Sequence, residues 1–154
     1  MIAPDFPRFE FKYTVQNVLE DGSTGGYRID YIPFLPCRLS CGTSERVAVD
    51  ALLDSGADGV VLPLTLAKHL GLVLQEGPAM MVAGGEPVES YRSRVDIELG
   101  RGGRYSPPFK DVTVSIPKHG NPPPLIGRSP VFERYIVTII EPEKRFILEP
   151  YRAK

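Results

Sequence analysis

The chain has 154 residues, 42% of them hydrophobic and 24% charged, with a formal net charge of −1. That is enough for one domain with a real core. It excludes a basic field that would hold nucleic acid or an anionic membrane surface, and no apolar run is long enough to span a bilayer.

The N-terminus, "MIAPDFPRFEFKY", lacks the basic start and continuous apolar stretch of a signal peptide, so a cytoplasmic location is expected. Residues 1–22 are read as a strand-like arm and 23–154 as the main domain. In "FEFKYTVQ" the apolar residues Phe9, Phe11, Tyr13 and Val15 alternate with polar ones, which predicts a half-buried strand. "DGSTGG" (21–26) suits a tight connection. "YRIDYIPF" alternates again through Tyr27, Ile29 and Tyr31. Cys37 and Cys41 are the only cysteines, and His69 and His119 lie far from both in sequence, so no metal site is expected. "RVAVDALLD" sets Val47, Val49, Ala51 and Leu53 on one strand face.

"PLTLAKHLG" then predicts a short helix, with Pro63 in its first turn and Gly71 ending it. His69 on this helix reads as a surface histidine. "VESYRSRVDIELG" and "FKDVTVSI" read as further strands. "SPVFERY" predicts a second short helix, capped by Ser129 with Pro130 at its first position. "YIVTII" and "RFILEP" are closing strands. Sixteen prolines and fifteen glycines punctuate these segments, which favours an all-β domain.

"LLDSGADGVVLP" (52–63) stands out, because a buried strand delivers a carboxylate, Asp54, into its own turn. A calcium loop fails: Gly56 sits where a ligand is wanted, and Thr65 replaces the closing glutamate. Ser55 lacks the glycine-flanked elbow of a serine nucleophile. A structural turn accounts for an Asp and a Gly, but not for apolar strands on both sides.

"ALLDSGADGVVLP" resembles the active-site segment of the retropepsin-like aspartic proteases, the single-lobed group that includes the retroviral enzymes. "PLIGRSP" resembles the family's second block, and "PLTLAKHLGL" a helix carried by many bacterial members. "MMVAGGEPVESY" falls where the family places its flap. The resemblance covers about residues 26–149. It departs from the family pattern at Gly59, at a flap tip without an aromatic residue, and in the first twenty residues.

The resemblance implies a retropepsin-like closed β-barrel or sandwich, the acid-protease fold, with two short helices and a flap hairpin. It implies an aspartic endopeptidase with Asp54 as the catalytic carboxylate and Ser55, Gly56, Ala57 and Asp58 completing the active-site loop. Ala83, Gly84 and Gly85 would form the flap tip. Leu125, Ile126, Gly127 and Arg128 would support the loop and the dimer, with Arg128 pairing Asp58 as a partly buried ion pair, either within one chain or across the dimer interface. The chain holds one such motif, so a second carboxylate must come from a second copy, and a homodimer acting on a peptide or protein follows. No metal, organic cofactor, nucleic acid or membrane is expected. The alternative is a non-cleaving dimeric peptide-binding or regulatory module on the same fold.

Overall fold

The computed structural model describes residues 5–19, 26–42, 45–82 and 84–154. In chain order the strands are β1 (Phe9–Lys12), β2 (Thr14–Leu19), β3 (Tyr27–Ile32), β4 (Phe34–Ser40), β5 (Val47–Leu53) and β6 (Val60–Val61). The helix α1 (Leu64–His69) comes next. Then follow β7 (Gln75–Glu76), β8 (Ser90–Arg101), β9 (Arg104–Tyr105), β10 (Phe109–Pro117), β11 (Leu125–Ile126), β12 (Tyr135–Ile140) and β13 (Arg145–Pro150). A helical turn, Arg128–Phe132, separates β11 from β12.

Six strands close into a barrel in the order β10-β6-β11-β5-β4-β8, and β8 pairs back to β10. Closure removes the exposed edges that an open sheet would carry. The alternation read in the sequence governs which side chains fill it. Leu35, Cys37 and Leu39 of β4, Ala51 and Leu53 of β5, Val95, Ile97 and Leu99 of β8, and Val114 and Ile116 of β10 are all buried. The all-β fold with two short helical segments is as the sequence suggested.

A second sheet, β1-β13-β12, packs on this core. Phe9 and Phe11 are buried, with Phe11 5.6 Å from Phe146 between ring centroids. Tyr13, also buried, donates its hydroxyl to Glu141 at 2.7 Å. The aromatic half of the N-terminal segment is therefore core. The β2–β3 hairpin differs. Val15, Tyr27, Ile29 and Tyr31, expected on a half-buried face, are exposed, because this two-stranded sheet stands apart from the others. The "DGSTGG" connection lies largely outside the described residues.

The helix α1 follows Pro63 and ends at Gly71, whose φ of 69° is a left-handed conformation that glycine adopts without strain. His69 is exposed there. In the second helical segment Ser129 has extended backbone (φ −100°, ψ 132°) just ahead of Pro130, the conformation of a cap position before a proline that starts a helical turn. Neither cysteine forms a disulfide. Burial, with a smaller contribution from the charge of Asp50, pushes the Cys37 thiol up to about 12. No helix among the described residues is long and apolar enough to cross a membrane.

Candidate active site

Two chain segments far apart in sequence cross at one point. β5 leads into the turn 54–59, and β6 leads out of it. β11 lies between them, parallel to β5 (Leu125 opposite Leu52, Ile126 opposite Leu53) and antiparallel to β6 (Leu125 opposite Val61, Ile126 opposite Val60). The turn that joins β5 to β6 therefore arches over the end of β11.

Backbone bonds fix the arch. Asp54 N–H donates to the Ile126 carbonyl at 2.9 Å. Three successive amides leaving β11 donate to the turn: Gly127 to Gly59, Arg128 to Ala57 and Ser129 to Asp58, each at 2.9 Å. Leu53 N–H donates to Pro33 at 3.1 Å, tying the start of β4 to the same place. Gly127 is buried in this crossing, and a Cβ there would fall within 3.0 Å of the carbonyl oxygens of Ala57 and Gly59. Only a residue without a side chain lets the two backbones approach this closely.

The Asp54 carboxylate is half-buried, and its Oδ1 accepts the Gly56 amide at 2.8 Å. That bond ties the carboxylate to its own turn. Ser55 is exposed on the turn beside it. Asp58 and Arg128 form an ion pair, as the sequence suggested. In the single chain the pair is not partly buried: the two side chains are 90% and 59% exposed. Water screens such a pair, so it aligns the turn more than it stabilises the fold.

A hairpin faces the turn. β7 pairs with β8, and beyond them Met80 and Val88 exchange two backbone hydrogen bonds of 2.7 and 2.8 Å. The tip closes with Gly85 N–H donating to Val82 at 3.0 Å and passes through Gly84. Ala83, named with them for the flap tip, lies outside the described residues. Between hairpin, turn and β10 runs a cleft of about 760 Å³. Gly56 to Val61, Pro78 to Met81, and Val112, Thr113 and Ser115 line it. Met80 and Met81 lie in the "MMVAGGEPVESY" segment that the resemblance places at the flap, though neither was singled out as a site residue, and Val112 carried no motif signal.

The family comparison fits this geometry. A family model described as aspartyl protease matches residues 39–129, more than half of the chain, a span that takes in both crossing segments and the hairpin that faces the turn. The chain belongs to the aspartyl protease family. The protease is similar in structure to a retropepsin-like aspartic protease from Rickettsia conorii, with a TM-score of 0.58 at 18% identity, covering 96% of each chain. It is also similar to the EIAV protease complexed with the inhibitor HBY-793, with a TM-score of 0.50 at 19% identity, covering 75% of this chain and 93% of that one. No match was found among curated proteins. The protein is thus a hydrolase of the aspartyl protease type on a retropepsin-like fold. No cluster of metal-ligating side chains occurs among the described residues.

Proposed function

We propose that the protease is an endopeptidase whose active site forms between two copies of the chain, with Asp54 from each meeting across a two-fold axis. The observation that carries this reading is the Asp54 turn itself. One half-buried residue, Asp54, has its carboxylate held by the amide of Gly56, which itself lines the cleft, and the chain contains one Asp-Ser-Gly sequence. Aspartic proteolysis takes two carboxylates facing one water. Like charges so close do not both ionise, so the pair shares a proton. The ionised member takes a proton from water as general base. The protonated member polarises the scissile carbonyl and then passes its proton to the leaving amine.

In this reading Ser55 holds the opposing turn, and Gly56 lets substrate backbone approach. Gly84 and Gly85 belong to the flap that closes on an extended peptide, which pairs as an added strand. Asp58 and Arg128, with Leu125, Ile126 and Gly127, support the turn. The unit that folds around this site is read as residues 23–154 with the N-terminal segment joined to it.

Asp54→Asn tests the role directly. The variant keeps the shape of the side chain and cannot act as base, so it is expected to fold as the parent does and to cleave nothing. Cleavage of labelled casein at near parental rate would remove Asp54 from the mechanism.

A further inference from the structure

The β2–β3 hairpin presents a feature the catalytic reading does not use. Its register places Val15 opposite Tyr31, Asn17 opposite Ile29 and Leu19 opposite Tyr27. Directly opposed residues share one face of a sheet. That face carries Val15, Leu19, Tyr27, Ile29 and Tyr31, each at least 49% exposed. The other face is largely polar, with Gln16 and an ion pair between Arg28 and Asp30 at 3.0 Å. The hairpin is therefore amphipathic, with its apolar side turned to solvent in the single chain. A lone two-stranded hairpin is marginal in water and gains stability when its apolar face is covered.

The root of the hairpin says what covers it. β3 runs through Pro33 into β4, and Phe34 lies opposite Leu52. Pro33 accepts the Leu53 amide, one residue before Asp54. On the other strand, Thr14 pairs with Ile32 next to Pro33, and buried Tyr13 anchors the start of β2 by donating its amide N–H to the Lys144 carbonyl at 2.8 Å. Both strands thus leave the body at Pro33, beside the Asp54 turn. Six residues of strand reach about 20 Å from that point.

We propose that this apolar face packs on a second copy of the chain and clasps the dimer at its active-site end. The proposal rests on the homodimer reading above, in which the site is incomplete without that copy. A two-fold axis near Asp54 presents the same hairpin from each side, so the contact is made twice. A protein substrate is the other candidate occupant, and the experiment separates the two.

Two exposed-face variants serve, Ile29→Lys and the milder Tyr27→Thr with Ile29→Thr, which keeps strand-forming residues. Gln16→Lys on the polar face is the control. Sedimentation equilibrium of the full chain gives the dimer dissociation constant, and cleavage of labelled casein and of a short peptide derived from it gives turnover. Both face variants are expected to raise the dissociation constant at least about tenfold, with turnover per chain recovering on concentration and the control unchanged. A parent chain that dimerises, with variants that dimerise equally well, overturns the clasp and leaves the homodimer standing. Variants that dimerise normally but raise KM for casein and not for the peptide make the face a substrate-docking surface, and also overturn it. A parent chain that cleaves as a monomer at every concentration removes the homodimer reading and the clasp with it.

Discussion

At the scale of single residues, the site depends on what is absent at Gly127 as much as on what is present at Asp54. The amides of Gly127, Arg128 and Ser129 reach the carbonyls of the Asp54 turn only because no Cβ stands between them. Gly127→Ala places a methyl group against two backbone oxygens that cannot swing away as a side chain would. Overpacking of this kind costs about 1–3 kcal/mol, and the cost falls on the Asp54 turn. The expected result is a lower urea midpoint together with a loss of turnover larger than the loss of stability explains. An unchanged midpoint and turnover would mean that the crossing of β11 under the turn is looser than its hydrogen bonds imply.

Among the elements, β1 does more than its place at the start of the chain suggests. Phe9 and Phe11 sit in the core against Tyr135 and Phe146, and β1 is an edge of the sheet formed with β13 and β12. Phe11→Ala is expected to cost about 3–5 kcal/mol, the range for emptying a buried phenylalanine site. Urea denaturation measures it, and a cost under about 1 kcal/mol would show that the segment is a detachable arm.

The alternation of Phe9, Phe11 and Tyr13 made this strand legible. Its pairing with β13 was not, because pairing across the whole chain length leaves no local signature. The same alternation in Tyr27, Ile29 and Tyr31 promised a buried face, and the single chain leaves that face open. Periodicity tells which residues share a face, and not which body the face meets. The two blocks around Asp54 and Gly127 could be read through their resemblance to a known family, and the crossing of backbones explains why small residues stand at fixed places in them. The cleft lining from Met80, Met81 and Val112 could not, because any apolar residue satisfies it.

For the whole molecule, several buried acidic protons make the fold lose stability on the alkaline side. Burial pushes Tyr13 and Tyr135 up to about 12, with the Glu141 hydrogen bond adding to the effect at Tyr13, and the Cys37 thiol rises to the same value. The neutral forms are thus held in the fold after the unfolded chain has begun to ionise. Above pH 9 for the thiol, and above pH 10 for the phenols, the unfolded state binds fewer protons, so stability falls as pH rises toward 12. Below those values the contribution is fully present. Cys37→Val removes the thiol at similar volume. Its thermal melting is expected to hold to a higher pH than that of the parent, and an identical alkaline decline would show that Cys37 does not contribute.

The central claim is that one chain supplies half of a catalytic pair, and mixing tests it most directly. Parent chain and Asp54→Asn chain are combined in varying ratio at fixed total concentration, equilibrated through dissociation, and assayed for casein cleavage. If each active site draws one Asp54 from each of two chains, only pairs of parent chains cleave, and activity follows the square of the parent fraction. An equal mixture then retains about one quarter of the activity of parent chain alone at the same total concentration. Activity that falls in simple proportion to the parent fraction, leaving about one half in the equal mixture, would contradict the account, because each chain would then be a complete enzyme.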